Sequence, residues 1–183
     1  MNPRLATLAL IQQACWQELA KASRNKSHAF RVMGLATVDG KVADLRSVLL
    51  REVLPDERTL VFFTDARSPK VAQIQRQPAG TLLVWCERLS WQLRLRVQLE
   101  VETSGLAVSS RWARLKMTPA AQDYLSPLPP GAPVEHPLPE CSTREYFAVV
   151  HARVQAIDWL ELHAEGHRRA VFDAAGQGRW LTP

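Results

Sequence analysis

From Gln92 to Thr103 polar and apolar residues alternate without a break. Leu93, Leu95, Val97, Leu99 and Val101 fall on one side, and Gln92, Arg94, Arg96, Gln98 and Glu100 on the other. A period of two over this length specifies a half-buried β-strand, because successive side chains of a strand point to opposite faces. The chain around it must therefore supply a sheet and a core for one face only.

Other segments supply them. Arg31 to Val38 and Lys41 to Arg51 are rich in strand formers and flank Asp39-Gly40, a hairpin signal because the turn needs positive φ. Leu60–Thr64 and Thr81–Trp85 read as further strands, and Tyr146 to Leu162 alternates again. A last hairpin is expected from Arg168–Phe172, a turn at residues 174–178, and Arg179–Leu181. Helices interrupt this pattern at three places. Leu5, Leu8, Ile11, Ala14/Cys15 and Leu19 recur at helical spacing within an N-terminal helix over residues 1–26. Ser68 is a natural N-cap and Pro69 a natural first residue for a short helix that stops near Gln77-Pro78. Ser109/Ser110 are placed to cap a third helix through Trp112, Leu115 and Met117. Residues 127–139 hold six prolines and read as an extended loop. A parallel doubly wound sheet does not fit, since helices do not follow each strand. The expectation is a mainly β fold with α decoration: one antiparallel β-barrel domain over residues 1–183.

Composition narrows the function. The chain has 183 residues, 46% of them hydrophobic, which excludes bulk disorder. The segment Leu5–Ile11 is too short to span a membrane and lacks a signal-peptide cleavage site, so the protein reads as cytoplasmic. Cys15, Cys86 and Cys141 are widely spaced with no CxxC pair, which reads as neither a zinc site nor a disulfide framework. Cys86 reads as a buried small hydrophobe, and Trp85, Trp91 and Trp180 as core or interface packing. His163 and His167 have no third ligand at a readable spacing, so no metal is expected. The net charge of +5 is uneven: residues 1–120 carry 18 Lys+Arg and 10 Asp+Glu (+8), and residues 121–183 carry 5 and 8 (−3). The basic part calls for an anionic partner. GxGxxG and GxxxxGK[ST] are absent.

Residues 46–70 concentrate the chemistry. Arg46 and Arg51 bracket Ser47-Val48-Leu49-Leu50, Phe63-Thr64 ends a strand, and Ser68 and Lys70 sit at a helix start. Free N–H groups, hydroxyls and cations at a helix N-terminus suit a phosphate. A capped surface helix beside solvated arginines is the plainer reading of the same residues.

In order, GLATVDGKVADLRSVLLRE, LVFFTDARSPKVAQI, TLLVW, WQLRLRVQ and DWLELHAEGHRRAVF resemble the pyridoxamine 5′-phosphate oxidase-like family of FMN-binding split barrels, over roughly Phe30 to Pro183. The resemblance implies a Greek-key-like split barrel and a homodimer, with FMN at the subunit interface. It assigns the cofactor to Arg46, Ser47, Val48, Leu49, Leu50, Arg51, Phe63, Thr64, Ser68 and Lys70. Gln92, Trp159 and Arg169 are implied to reach it from the neighbouring subunit. An Arg in the family's Ser-Arg-Lys run is Pro69 here, with Arg67 close enough to substitute. The family's substrate-contacting Arg-x-His pair reads Glu165 and His167. These two are the substrate-side candidates, and catalytic residues stay unassigned. Arg111, Arg114 and Lys116 read as a solvated helix face.

The function expected is an FMN-dependent oxidoreductase moving hydride between flavin and an unidentified small substrate, phosphorylated or an amine. The charge reversal at Glu165 argues against pyridoxamine 5′-phosphate as that substrate. A non-catalytic flavin- or cofactor-binding protein of the same fold is the second reading. Nucleic-acid binding through the basic segment ranks below both, since no recognised motif accompanies the charge.

Overall fold

The computed structural model describes residues 4–136 and 146–183. Cys141 and the end of the proline-rich stretch, residues 137–139, lie outside the described residues. The strands are β1 (Val32–Asp39), β2 (Val42–Leu49), β3 (Glu52–Leu54), β4 (Thr59–Asp65), β5 (Ala79–Cys86), β6 (Trp91–Glu102), β7 (Phe147–Glu161), β8 (Arg168–Phe172) and β9 (Gly178–Leu181). The helices are α1 (Leu8–Arg24), α2 (Pro69–Arg76) and α3 (Leu106–Leu115).

The strand order is β2-β1-β5-β6-β7-β4-β3, with β8 and β9 continuing from β7, and every pairing is antiparallel. The two ends of the first path, β2 and β3, are successive in the chain. Between them the Leu50 amide donates to the Arg31 carbonyl and the Arg51 amide to the Val61 carbonyl, both across 2.8–2.9 Å. One strand thus leaves β1 and joins β4, and the sheet wraps into a split barrel. The β1–β2 hairpin turns through Gly40, whose φ of 60° is a left-handed conformation that glycine adopts without steric cost.

The alternating segment at 92–103 is β6, and its apolar face points inward. Leu93, Leu95, Val97 and Leu99 meet Val150, Ala152, Val154, Ile157 and Trp159 of β7 in the core. Burying each such aliphatic side chain contributes about 1.5–3 kcal/mol. Ile11, Cys15, Leu19 and Ala22 recur every three or four residues and place one face of α1 on this core. Close packing reaches the last strand as well: a Cβ at Gly178 would stand 2.7 Å from the Phe172 ring, so only glycine lets β9 approach there.

A second cluster explains why β4 reads as a continuous apolar run. Its Leu60 and Phe62 face the barrel core, while Val61 faces outward with Phe147 and Val149 of β7. That outer face is covered by Val108, Trp112 and Leu115 of α3 and by Ala121 and Tyr124 of the turn after it.

Two expectations need correction. Ser109 and Ser110 do not start α3. The helix begins at Leu106 after Gly105, and both hydroxyls donate back to carbonyls three residues earlier, an interior role open to serine. The strand expected to run to Arg51 ends at Leu49, because the chain changes partner at Leu50-Arg51, and β3 follows from Glu52. Of the three tryptophans read as core or interface packing, Trp91 is buried within the chain, and Trp85 and Trp180 are 44% and 47% exposed on it. No helix among the described residues is long and apolar enough to cross a membrane.

Candidate cofactor cleft

Where β4 ends, the chain turns through Asp65-Ala66-Arg67-Ser68 into α2. The turn is held by the Ser68 amide on the Asp65 carbonyl (3.1 Å) and by the Arg67 amide on Asp65 Oδ1 (2.7 Å). Pro69 occupies the first helical turn, and the Ser68 side chain makes no capping bond. It turns instead toward Thr64, hydroxyl to hydroxyl at 3.2 Å. Lys70 Nζ donates to both, at 3.1 Å to Thr64 Oγ1 and 3.0 Å to Ser68 Oγ. Burial, and then the repulsion of nearby Arg46, hold the Lys70 pKa below its ordinary value. This ammonium is partly desolvated and hydrogen-bonded only to hydroxyls, while Asp65 and Asp44 act on it through their field, so an anion in the cleft could add a direct charge-assisted bond.

Beside this trio lies an open cleft of about 280 Å³. Ser47, Val48 and Leu49 of β2 form one wall, and Val32, Phe63, Thr64, Asp65 and Lys70 continue it. Asp123, Tyr124 and Pro130 close the other side. Arg51 lines an adjoining hollow of about 200 Å³ with Phe63, Glu52, Arg111 and Arg114. It donates to the Tyr124 hydroxyl at 3.1 Å and lies over the Phe63 ring, while its buried Nε has no partner. Burial raises the Tyr124 pKa, with Arg51 acting against it.

Six residues expected at the cofactor therefore line one cleft: Ser47, Val48, Leu49, Phe63, Thr64 and Lys70. Ser68 supports Lys70 from beneath, and Arg51 stands next door. Others fall elsewhere. Leu50 is a core residue, 1% exposed. Arg46 faces the barrel interior, opposite Leu35, and both its terminal nitrogens are engaged there: it donates to the Leu35 carbonyl, Thr37, Asp44 and Gln73. It is not among the residues lining the cleft, and its field acts on Lys70. Arg67 does not replace the missing family arginine, because Asp65 and backbone carbonyls occupy its donors.

The residues expected from a neighbouring subunit separate by strand alternation. Gln92 and Arg169 lie on the outer face of the sheet, both beside Leu160. Trp159 lies on the opposite, inner face. It is wholly buried, edge-on to Trp91 at 5.5 Å and covered by Arg168, so it cannot reach a cofactor outside the barrel. His167 and Glu165 sit in the β7–β8 turn, away from their own chain's cleft: His167 Nδ1 accepts from the His163 amide, and the Glu165 side chain is 76% exposed. Arg111 is not a solvated cation, since Glu52 pairs with it at 2.8 Å. Asp123, Tyr124 and Pro130 were not legible, because the connection carrying them has neither period nor motif. Among the described residues no cluster of His, Cys, Asp and Glu could hold a metal ion.

Residues 13–103 match the family described as pyridoxamine 5′-phosphate oxidase, FMN-binding domain. The chain belongs to the pyridoxamine 5′-phosphate oxidase-like FMN-binding family. It is similar to the pyridoxine/pyridoxamine 5′-phosphate oxidase of Caulobacter vibrioides, 28% identical over 178 residues, covering 90% of this chain and 79% of that one. A shorter match, 43% identical over 70 residues, joins it to the enzyme of that name from Thermosynechococcus vestitus, covering 37% and 32% of the two chains. Among solved structures, a pyridoxamine 5′-phosphate oxidase-related FMN-binding protein from Nostoc punctiforme superposes with a TM-score of 0.73 at 24% identity, covering 98% of each chain. PhzG from Burkholderia lata, solved with tetrahydrophenazine-1-carboxylic acid, gives 0.72 at 15% identity, covering 100% of this chain and 95% of that one. The fold is thus the split barrel of this family. Family and fold are those of an FMN-binding oxidoreductase whose substrate they do not identify.

Proposed function

We propose that the cleft binds FMN with its phosphate on Thr64, Ser68 and Lys70 and its ring system along Ser47, Val48 and Leu49. The observation that carries this reading is Lys70, a half-buried ammonium held by two hydroxyls at the start of a helix. Phosphate supplies a direct anionic partner, which Asp65 and Asp44 provide only through their field. Phe63 and Leu49 offer the apolar contact that a flat ring needs. Bound flavin would supply hydride transfer, and the chain would supply orientation and field.

The same reading makes the protein a homodimer. Val32, Val38, Leu45, Leu49, Leu83 and Trp85 are each 38–66% exposed. The β1–β2 and β1–β5 registers set these side chains side by side on the outer face of the sheet. Contiguous apolar surface of this kind marks an association site. Val32 and Leu49 belong both to this patch and to the cleft. A partner seated on the patch would border the cleft and bring its own outer face, with Gln92 and Arg169, toward the cofactor.

The substrate in this proposal is a small molecule other than pyridoxamine 5′-phosphate, because Glu165 reverses a charge at the substrate side. The test is an absorption spectrum of the purified protein with an FMN fluorescence titration. Flavin bands and saturable quenching are expected, and a flat titration overturns the proposal. The second reading, flavin binding without catalysis, draws support from His167 and Glu165 standing outside their own chain's cleft. Bound flavin that no nicotinamide or amine donor reduces would favour it.

A further inference from the structure

The turn that carries Ser68 and Lys70 also carries Arg67, and Arg67 faces away from the cleft interior. Its Nε lies 3.1 and 3.3 Å from the two Asp65 oxygens, and its Nη2 lies 2.6 Å from Oδ2. The same guanidinium then donates to three successive carbonyls of another segment: Ser126 at 2.9 Å, Pro127 at 3.1 Å and Leu128 at 3.2 Å. Its flat face rests on the Tyr146 ring, 3.6 Å from the centroid.

Residues 126–130 have little else to hold them. Pro127, Pro129 and Pro130 have no N–H to donate, so this stretch cannot be secured through its own amides in a strand ladder. It is secured through its carbonyls, which need an external donor. One planar group with five N–H donors and two stacking faces meets that need, and an ammonium does not. The stretch continues directly from Asp123 and Tyr124, and it includes Pro130. These three residues are the wall of the cleft opposite β2.

We propose that Arg67 is a positioning residue that fastens the wall Asp123–Pro130 to the turn bearing Ser68 and Lys70, so that the wall and the anion-binding turn move as one body. Arg67 acts through the wall and touches no ligand. Tyr124 transmits the effect to Arg51, whose guanidinium its hydroxyl accepts. The fastening is a property of the free protein, and only its consequence for FMN rests on the cofactor reading above.

Amide hydrogen exchange of the free protein tests it. Arg67→Ala and Arg67→Lys are both expected to speed exchange of the hydrogen-bonded Leu125 and Ala132 amides at the two ends of this stretch by about tenfold or more, with β6 and β7 unchanged. Tyr146→Leu removes the stacking face without altering charge, and is expected to speed the same amides to a smaller extent. It keeps the test open if an Arg67 variant fails to fold. FMN titration of the same variants should show about tenfold weaker binding for Lys as well as for Ala. Unchanged exchange in Arg67→Ala, or wild-type exchange and affinity in Arg67→Lys, overturns the proposal. Wild-type protein that ignores FMN overturns the cofactor reading alone, because the exchange measurement still decides the role of Arg67.

Discussion

Asp158 and Arg169 form a bidentate pair on the outer face of the barrel, with Arg169 Nε 3.0 Å from Oδ1 and Nη2 2.7 Å from Oδ2. Arg94 donates to Oδ2 from the other side. Burial acts to raise the Asp158 pKa, but the hydrogen bonds from Arg169 and Arg94 outweigh it and hold the carboxyl below its ordinary value. The carboxylate thus fixes the direction of a guanidinium that the dimer reading brings to the partner's cofactor. Asp158→Asn keeps the shape but loses the charge-assisted pairing. FMN affinity measured by fluorescence titration should fall about tenfold, and Asp158→Glu should recover part of the loss.

Lys70 separates binding from stability. Folding buries its ammonium near Arg46, and its pKa is lowered as a result. A group with a lowered cationic pKa is destabilised by its charge in the folded state. Lys70→Met should therefore leave the melting temperature unchanged or slightly raised. The same substitution should weaken FMN binding by about 10–100-fold, the worth of a charge-assisted phosphate contact in a partly dry site. A parallel loss of stability and binding would point to a structural lysine instead.

Leu45 tests the interface. It stands 66% exposed in the middle of the outer β2 face, opposite Ala36. Leu45→Glu places a charge where two apolar faces would meet and touches neither Lys70 nor Thr64. Light scattering after size exclusion should show a monomer in place of a dimer. FMN affinity should fall with it by about tenfold or more, since in the proposed dimer Gln92 and Arg169 reach the cofactor from the partner. A monomeric wild type would remove the interface from the proposal.

Most strands were legible from a local pattern, β4 from a continuous apolar run and the others from alternation or turn signals, and the three-residue β3 carried none. β6 alternates over its whole length, and the β1–β2 hairpin is marked by Asp39-Gly40. The cradle at Thr64, Ser68 and Lys70 was legible because one short segment contains all three residues, and a helix start has a local signature in Ser68-Pro69. What failed was the assignment of faces and partners. Trp159 and Arg169 lie ten residues apart with a hairpin between them. Only the register of β7 against β8 shows that one points inward and the other outward. Arg46 has the right spacing for a cofactor contact, yet Asp44 and Gln73 capture it from two different elements. Tyr124 owes its place to packing on Phe63 and Phe147, and Arg67 to a long-range contact between the β4–α2 turn and a proline-rich connection, which local patterns do not encode.

Acid should weaken the fold through Glu18, Asp158 and Glu161, three carboxylates that each tie separate segments together. Glu161 accepts from Arg4 and Arg168 at 2.9 Å each and from the Trp91 indole at 3.4 Å, tying the N-terminal segment to β7 and β8. Glu18 on α1 is similarly held by Lys21, His28 and Arg88. In Glu18, Glu161 and Asp158 burial acts to raise the pKa, and the hydrogen bonds prevail and lower it from ordinary values of 4.5, 4.5 and 3.8. The folded state then binds fewer protons than the unfolded chain below those values, so stability rises with pH in that range. The contribution is complete above about pH 4.5 and is lost as pH falls through the lowered pKa values. Urea midpoints measured from pH 7 down to pH 3 should fall most steeply below about pH 4.5. Glu161→Gln should lower the midpoint at pH 7 and flatten the acid limb, because one of the three titrating groups is gone. An acid limb as steep in Glu161→Gln as in wild type would assign the pH dependence to other carboxylates.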